Sequence, residues 1–484
     1  MSWDLLVILT APFAVSVACW WAPVRLAQAL TLASGALTFV LAVLLVPAKT
    51  TTALSGWLRV DALSAVFLVA VAFLYLATAV FAIGYVRPAG EPKLAARYTR
   101  RLFAGMNLFA WSMAMAPVVN GLALLWVAIE VTTVISALLV ATDDTDEASE
   151  AAWKYVLIAS MGLGIALLAT VVMYYAGSSA FGGAHELFYP SLIGAARHFP
   201  PQIVRLAFVL AVLGYGTKMG LVPVHTWLPD AHSEAPTPVS AMLSGSLLAV
   251  SFYAILRFYQ VTERAVGPVF PRDVLLAFGV ASLALAALYL ASQRDLKRLF
   301  AYSSVEHMGV LAIGMSFSAP IAVVGVLLHV LAHAAAKGTA FFGAGSVVRK
   351  FGTKDMSRIR GGIGALPWTG PMLVLAVLGL AAMPPFGIFR SEFLIVSGGL
   401  SDPRDAVAAV LVVGVTISML GLSWFTSRTM LTPSPEGTVR GETSAWIVSS
   451  MVIGLVALAI LGVHPPGQLS DLLTRAAGEL GARP

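Results

Sequence analysis

The chain has 484 residues, of which 59% are hydrophobic and 11% are charged, whereas a soluble domain carries about 25% charged residues. This composition excludes a soluble globular enzyme and predicts an integral membrane protein. The formal net charge of +6 does not indicate nucleic-acid binding, because in a membrane protein the distribution of basic residues over the loops reports orientation.

Runs of about 20 apolar residues, the length that a helix needs to cross a bilayer, recur along nearly the whole chain. Fourteen membrane-spanning helices are predicted, at residues 4–22, 26–46, 62–86, 102–117, 118–141, 153–176, 203–224, 236–258, 273–291, 299–316, 320–348, 370–396, 405–427 and 444–463. The first has no basic segment before it and no small-residue cleavage site after it, so it is interpreted as a retained helix and not as a signal peptide. The predicted fold is a single all-α membrane domain over residues 1–484.

Basic residues are concentrated in the loops that follow odd-numbered helices. Those loops hold seventeen Lys or Arg and the opposite face holds ten, with Arg205 and Arg257 assignable either to a helix or to a loop. Because loops rich in Lys and Arg stay cytoplasmic, both termini are predicted to lie on the outer, periplasmic face of a bacterial inner membrane. The acidic residues in 143–150 are interpreted as a solvated loop.

Cys19 is the single cysteine of the chain. One thiol cannot form a disulfide within the chain or supply the four cysteine ligands of an iron–sulfur cluster. No glycine-rich motif that binds phosphates or dinucleotides stands between a predicted strand and a helix. We therefore expect no cofactor, no metal site and no catalytic residue here, and whether the chain is itself an enzyme stays open. Any redox chemistry is expected on another subunit.

The seventh and twelfth predicted helices are interrupted by glycine and proline, at 214–223 and 383–387. Interrupted helices in the two halves of a transporter point to an ion pathway, and they are typical of inverted repeats. The predicted organisation is N-terminal helices 1–3 (1–101), a five-helix repeat of helices 4–8 (102–258), its inverted copy in helices 9–13 (272–428), and helix 14 with a short tail (443–484). The 88 residues from Glu130 to Lys218 and the 86 from Glu306 to Glu392 agree with this repeat.

Glu130 and Lys218 lie within predicted membrane helices. An ionised side chain near the bilayer centre costs about 2.5–3.5 kcal/mol, so such residues usually face a wet interior and move ions or protons. Glu130 could instead be a protonated acid that joins two helices by a hydrogen bond. Lys218, just before Pro223, could instead extend its stem to the membrane interface.

His329, His333 and Lys337 recur every fourth residue and therefore share one face of helix eleven, over about 12 Å of membrane depth. Histidine titrates nearest to neutral pH, so this stripe is typical of a proton wire. Glu392 follows the second interrupted helix, where a carboxylate could release or accept a proton. A simple charge pair between Arg390 and Glu392 stays open as an alternative.

Five further residues are candidates for accessory roles in proton transfer: Lys154, His225, Glu306, His307 and Arg390. Glu306 and His307 could instead be structural neighbours of the basic loop 293–298.

The stretch 214–245, which reads GYGTKMGLVPVHTWLPDAHSEAPTPVSAMLSG, resembles the antiporter-like subunits of respiratory complex I and its relatives. The resemblance extends over most of residues 60–425. It is reinforced by 295–304, by His333 and Lys337 followed by 343–346, and by 384–393. Within the family, 303–308 and 384–387 look most like the F-type membrane subunit of hydrogenase-4 and formate hydrogenlyase-related complexes.

The resemblance implies fourteen helices with an inverted five-helix repeat. It also implies a glutamate–lysine pair at Glu130 and Lys218, and a route through helices eleven and twelve at His329, His333, Lys337 and Glu392.

Two features depart from the family pattern. Many relatives have a lysine in helix eight where this chain has Ala249, so the central link is expected to run through water or through hydroxyls such as those of Ser246 and Ser251, or else to be impaired. About twenty residues follow helix fourteen, and the long lateral helix of the largest complex I antiporter-like subunit is not expected.

The leading hypothesis is a proton-translocating membrane subunit of a multi-subunit oxidoreductase, with other membrane subunits and a hydrogenase-like or complex I-like peripheral redox arm as partners. Moving one charge against 100 mV requires about 2.3 kcal/mol, and this energy must come from neighbouring subunits. A module of a multisubunit sodium/proton antiporter and a non-translocating scaffold are the two alternatives.

Overall fold

The computed structural model describes residues 3–86 and 92–482; Arg87 and Arg483, two of the basic residues counted above, lie outside them. The first half of the described chain is mainly helical. Its α-helices are α1 (Trp3–Cys19), α2 (Val24–Leu44), α3 (Ala62–Tyr85), α4 (Pro92–Val118), α5 (Leu122–Val140), α6 (Asp146–Phe181), α7 (Tyr189–Ala195), α8 (Pro201–Met219), α9 (Leu228–Glu234), α10 (Thr237–Met242) and α11 (Leu248–Val266). A π-helical turn at Leu243–Leu247 joins α10 to α11.

The second half continues in the same manner. Its α-helices are α12 (Val269–Leu290), α13 (Leu296–Gly314), α14 (Pro320–Phe351), α15 (Gly362–Ala365), α16 (Thr369–Leu380), α17 (Gly387–Leu400), α18 (Asp405–Met430), α19 (Ala445–Val463) and α20 (Gly467–Glu479). The last of these, α20, follows α19 after a short turn and packs against α3 and α14.

Among the described residues, ten helical stretches are long and apolar enough to cross a membrane. Ten of the fourteen predicted spans coincide with these stretches. The other four predicted spans, 4–22, 102–117, 299–316 and 370–396, correspond to α1, α4, α13 and the pair α16 and α17, which are shorter or carry more charge. The prediction of a helical integral membrane protein is confirmed.

The expectation of a purely α-helical chain is wrong at one place. Strands β1 (Thr51–Ala53) and β2 (Leu58–Val60) form an antiparallel hairpin between α2 and α3, with Thr51 opposite Val60. The β-branched residues of these strands favour extended backbone, and the turn between them contains Gly56 at a φ of +94°. Three-residue strands are too short to give a readable alternation in the sequence.

Several helix boundaries also differ from the predicted ones. The helix α6 begins at Asp146, so Asp146, Glu147 and Glu150 lie in its first turns and not in a loop. Asp146 and Glu147 stand where negative charge stabilises a helix N-terminus. Arg257 lies inside α11, nine residues before its end.

Three helical stretches form the interior of the molecule. The apolar window of Thr237–Val266 is 100% buried, that of α14 is 89% buried and that of α3 is 78% buried, whereas that of α18 is only 22% buried. A helix enclosed by other helices can carry polar side chains that lipid would exclude. The interior helices are therefore the places to look for function.

Both predicted interruptions are present. The helix α8 ends at Met219 because Gly220 adopts a left-handed φ of +86°, and Pro223 has no amide hydrogen to continue the helix. The freed carbonyl of Thr217 accepts a hydrogen bond from the Trp227 indole at 2.8 Å. In the second half, α16 ends at Leu380 and α17 begins at Gly387.

Candidate functional site

Lys218 lies near the end of α8, where that helix packs closely on α6. A Cβ atom on Gly214 would lie 2.5 Å from the backbone nitrogen of Ala166, so only glycine allows the two backbones to approach this far. The close contact encloses Lys218, whose exposed fraction is 0%. The alternative in which the lysine stem reaches the membrane interface is therefore excluded.

The ammonium of Lys218 is held by α5. Its Nζ donates a hydrogen bond to the carbonyl of Ile129 at 3.3 Å and another to the hydroxyl of Thr133, and it lies 5.6 Å from the centre of the Tyr155 ring. No carboxylate among the described residues lies within 4.0 Å of it. The groups in direct contact with Nζ of Lys218 are thus all uncharged.

Glu130 follows Ile129 on α5 and is half-buried. Its Oε1 accepts a hydrogen bond from the Ser160 hydroxyl of α6 at 3.5 Å, while its Oε2 is buried without a partner among the described residues. The sequence resemblance implies that Glu130 and Lys218 pair. In the structure Glu130 on α5 and Lys218 on α8 are neighbours but form no direct ion pair.

The stripe on α14 is completely enclosed. His329, His333 and Lys337 each have an exposed fraction of 0%. The Nζ of Lys337 donates hydrogen bonds to the carbonyl of Phe300 at 2.9 Å and to the hydroxyl of Ser303 at 2.7 Å, both on α13. Lys218 and Lys337 are therefore each held by one backbone carbonyl and one hydroxyl.

The helices α13, α14 and α17 bring four ionisable residues together: His307 and, around it, His329, His333 and Glu392. The ring nitrogen Nε2 of His329 lies 3.2 Å from Nδ1 of His307, and Nδ1 of His329 lies 2.9 Å from the Ser391 hydroxyl. Nδ1 of His307 is also 3.9 Å from the Glu392 carboxylate. The ring of His333 lies 5.3 Å from that of His307. Two groups expected on α14 and one on α17 thus meet at a histidine of α13.

Comparison with known proteins identifies the family to which this arrangement belongs. Residues 119–420, more than half of the chain, match the family described as NADH:quinone oxidoreductase/Mrp antiporter, TM. The chain belongs to the NADH:quinone oxidoreductase/Mrp antiporter transmembrane family. The resemblance seen in the sequence is confirmed.

Individual members of the NADH:quinone oxidoreductase/Mrp antiporter family resemble the chain over most of its length. A hydrogenase-4 component F homolog from Methylacidiphilum infernorum (isolate V4) is 37% identical over 372 residues, which cover 75% of this chain and 76% of that protein. The structure of the archaeal membrane-bound sulfane sulfur reductase contains a chain with a TM-score of 0.85 and 21% identity, covering 99% of this chain and 97% of that one. The Mrp complex from Dietzia sp. DQ12-45-1b contains one with a TM-score of 0.83 and 20% identity, covering 99% and 98%. The two structural likenesses establish the shared fold.

Within this antiporter-family chain, the accessory candidates separate into two groups. Glu306 and His307 join the cluster on α13 and α14, with Oε2 of Glu306 3.7 Å from Nε2 of His307. Lys154 lies at a partly exposed surface, where its Nζ is 2.5 Å from Glu150 and 3.9 Å from Asp230.

The two remaining candidates lie apart from the cluster as well. Arg390 donates hydrogen bonds to the carbonyls of Gly462 and Val463 at 3.2 and 3.1 Å, so the alternative charge pair with Glu392 is not formed. His225 lies in the interruption after α8, and its Nδ1 has no partner among the described residues.

Sequence reasoning did not single out His232, which lies between the two lysine sites. It is completely buried, and neither ring nitrogen has a partner among the described residues. Its ring lies 6.1 Å from that of Trp227 and 5.9 Å from that of Phe341. Trp227 packs at 4.4 Å on Tyr155, next to Lys218, and Phe341 is one helical turn after Lys337. A buried imidazole at this position is a candidate for the central link, because it stands between the aromatic residues next to Lys218 and Lys337.

Ala249, the departure from the usual helix-eight lysine, is 2% exposed on α11. Of the nearby hydroxyls, that of Ser251 donates to the carbonyl of Leu247 at 3.2 Å, whereas that of Ser246 is buried without a partner among the described residues. Ser246 is therefore the hydroxyl of this pair that is free to bind water.

A further buried charge pair lies at the start of α3 and was not predicted. Arg257 is 1% exposed and its Nη2 lies 2.6 Å from the Asp61 carboxylate. The other guanidinium nitrogens donate to Tyr253 at 3.0 Å and to Gln260 at 2.9 Å. Each guanidinium nitrogen of Arg257 has a partner, and Oδ1 of Asp61 also accepts a hydrogen bond from the backbone amide of Ser64 at 3.0 Å, as a stable buried ion pair requires.

The C-terminal helix α20 is attached to the same place. The Glu479 carboxylate accepts hydrogen bonds from the backbone amides of Ala62 and Leu63 at 3.1 and 3.0 Å. Burial, together with the nearby charge of Asp61, raises the pKa of Glu479 to about 7, although Arg257 and the two amides oppose the shift. This network fixes the ends of α3, α11 and α20 to one another.

Proposed function

We propose that the chain translocates protons across the membrane as a subunit of a multi-subunit oxidoreductase. One observation carries the proposal: ionisable side chains that lipid excludes are completely buried on the interior helix α14 and meet partners from α13 and α17 there. Such residues within a membrane protein mark ion and proton pathways. The chain's membership of the NADH:quinone oxidoreductase/Mrp antiporter family agrees with this function.

In the proposed route, Glu130 exchanges a proton near α5 and α6, and Lys218 takes it up at the end of α8. His232, with water bound at Ser246, carries it past Ala249 to Lys337. His333, His329 and His307 then pass it to Glu392. Histidine can serve as donor and acceptor in such a chain because its two ring nitrogens have distinct roles.

The steps into and out of His333 need water between the fixed groups. Neither nitrogen of His333 has a partner among the described residues, and its ring lies 6.3 Å from that of His329. A proton passes between groups at these distances only along hydrogen-bonded water. Hydration of the interior is therefore part of the proposal.

The energy for translocation comes from elsewhere in the assembly. Moving one charge against 100 mV requires about 2.3 kcal/mol. The proposal assigns no redox centre to this chain that could supply this energy. We infer that other membrane subunits and a peripheral redox arm, hydrogenase-like or complex I-like, supply the energy as an electrostatic or conformational signal. A change near the half-buried Glu130 is the most direct input.

The same proposal includes the finer architecture. Of the fourteen membrane-crossing helices, helices 4–8 and 9–13 form an inverted repeat of five helices, in which the interruptions between α8 and α9 and between α16 and α17 correspond. Both termini lie on the periplasmic face of a bacterial inner membrane. The interruption in each half then brings Lys218 and Glu392 to equivalent positions in the two halves.

The experiment that tests the function is Lys218→Met in the intact complex, driven by its own electron donor in sealed membrane vesicles. Proton movement per electron is expected to fall, because Met cannot carry a proton. Lys350→Met is the control, since Lys350 lies in the last turn of α14, beyond the proposed route, and its Nζ likewise donates to a backbone carbonyl, that of Gly441, at 2.9 Å. An unchanged ratio in Lys218→Met would refute the role of this lysine. Proton exchange that depends on an added cation and needs no electron donor would instead identify a cation/proton antiporter.

A further inference from the structure

Two histidines and a glutamate from three helices direct ligating atoms toward one point. Nδ1 of His307 lies 3.2 Å from Nε2 of His329 and 3.9 Å from Oε1 of Glu392. One potential ligand atom of each residue lies within 4.8 Å of those of the other two. Two ligand atoms that are each about 2.0–2.1 Å from a tetrahedral zinc ion lie about 3.3 Å apart. The observed separations need only a small adjustment to reach this value.

The outward-facing nitrogens of both histidines already have oxygen neighbours. Nδ1 of His329 lies 2.9 Å from the hydroxyl of Ser391. Nε2 of His307 lies 3.7 Å from the carboxylate of Glu306. Histidine ligands in metal sites usually donate their second ring N–H to a carboxylate, a carbonyl or water, which fixes the tautomer and aims the other nitrogen at the metal. The cluster thus contains three potential ligands and, in Ser391, a hydrogen-bonded group that would orient one of them, His329.

The cluster is also incompletely satisfied as it stands. Oε1 of Glu392 and both ring nitrogens of His333 are buried without hydrogen-bond partners among the described residues. His333 lies beside His307, with 5.3 Å between the ring centres. Three protein ligands and an open fourth position are typical of zinc sites that keep a water, and His333 is close enough to interact with such a water.

We propose that His307, His329 and Glu392 bind one Zn²⁺ ion, and that the bound ion stops proton transfer along α14. Imidazole nitrogen and carboxylate oxygen are ordinary zinc ligands, and the buried thiol of Cys19 is not needed. Glu392 has 9% of its side chain exposed, against 0% for His307, so the ion enters past Glu392. The binding itself is independent of the proposed function, whereas the block of proton transfer rests on it.

Binding is tested by equilibrium dialysis of radioactive zinc against the complex purified from its native membrane and first stripped with a chelator. The wild-type complex is expected to bind one zinc ion more than His307→Gln. His464→Gln is the matched control, because His464 is exposed and distant in the chain, and it is expected to bind as the wild type does. Equal zinc content in the wild type and His307→Gln would overturn the proposal.

Ser391→Ala tests the site without removing a ligand and serves if His307→Gln does not assemble. Loss of a group that orients a metal ligand weakens metal affinity about 10- to 100-fold. This variant is therefore expected to bind one zinc ion with an affinity lower than that of the wild type by this factor. An affinity equal to that of the wild type would count against the site.

Proton movement per electron is then measured with and without saturating zinc. Zinc is expected to stop it in the wild type and in His464→Gln, and a chelator is expected to restore it. If zinc binds to the wild type and not to His307→Gln, yet leaves proton movement in the wild type intact, the metal site is supported and the pathway through His329 is refuted. The two proposals therefore fail separately.

Discussion

Replacing Gly325 by Ala is expected to separate α14 from α17 at the level of His329. A Cβ atom at position 325 would lie 2.8 Å from the carbonyl oxygen of Ser391 and 2.9 Å from Cγ1 of Ile395. Ordinary van der Waals contact begins at 3.4 Å, so the helices must move apart by about 0.6 Å at this point. The obstacle includes a backbone carbonyl, which cannot rotate away as a flexible side chain can.

The same displacement lengthens the contact between Nδ1 of His329 and the Ser391 hydroxyl from 2.9 Å to about 3.5 Å, beyond the usual range of a hydrogen bond. Overpacking of this kind destabilises a protein by about 1–3 kcal/mol. We therefore expect Gly325→Ala to lower the thermal stability of the complex and, by releasing His329, to reduce proton movement per electron. Both quantities can be measured on the same membrane preparation.

Gly164→Ala is the matched control for this experiment. Gly164 lies in the middle of α6, and no atom lies within 4 Å of a Cβ built there. Ala in such an open helical position is favoured over Gly by about 0.5–1 kcal/mol, so stability is expected to stay constant or to rise, with normal proton movement. If Gly325→Ala behaves as Gly164→Ala does, the close packing of α14 on α17 does not position His329, and the reasoning is refuted.

Two further predictions concern the network at the ends of α3, α11 and α20. Because the pKa of Glu479 is raised from 4.5 to about 7, docking of α20 is strongest below about pH 4.5 and weakens as the pH rises through 7. Protection of the α20 amides from hydrogen exchange should show this pH dependence in the wild type and not in Glu479→Gln. The same pH dependence in both proteins would contradict this role of Glu479. Arg257→Met should destabilise the protein by about 3–5 kcal/mol, because the buried Asp61 carboxylate then keeps only the partly exposed Arg59, 3.8 Å away, as a charge partner. Combining it with Asp61→Asn should restore part of the melting temperature, and a double variant no more stable than Arg257→Met would contradict this account.

The stripe on α14 could be predicted from the sequence because helical periodicity is local. Residues four apart share a face, so His329, His333 and Lys337 could be grouped without knowing the packing of the helix. The same holds for the interruptions, since Gly220 and Pro223 act on the backbone of their own segment.

The partners of that stripe depend on packing between distant segments. His307 and Glu306 were ranked only as accessory residues because nothing in the sequence states which face of α13 meets α14. Arg390 stands beside Glu392 in the sequence, but the α-helix directs it to the carbonyls at the end of α19 instead. Adjacent residues on a helix point in different directions, so sequence proximity was the wrong guide.

Long-range ion pairs were beyond reach for the same reason. Asp61 and Arg257 are 196 residues apart, and the sequence leaves Arg257 assignable either to a helix or to a loop with no sign of its partner. His232 carries one weak signal, a histidine within a proline-rich segment, but only the structure shows that it is completely buried.

The way in which the two buried lysines are held affects how easily each can change charge. Lys218 is bound to the carbonyl of Ile129 and the hydroxyl of Thr133, and Lys337 to the carbonyl of Phe300 and the hydroxyl of Ser303. A carbonyl can only accept a hydrogen bond, whereas a hydroxyl can also donate one. When the ammonium becomes a neutral amine, the amine can keep donating to the carbonyl while the hydroxyl turns its hydrogen toward the new lone pair. At Lys337 both charge states thus keep the same number of hydrogen bonds, whereas at Lys218 the rotating hydroxyl gives up the long 3.4 Å bond from Thr133 to the carbonyl of Ile129. In each case the lysine can be recharged by rotating a single O–H bond while every heavy atom stays in position.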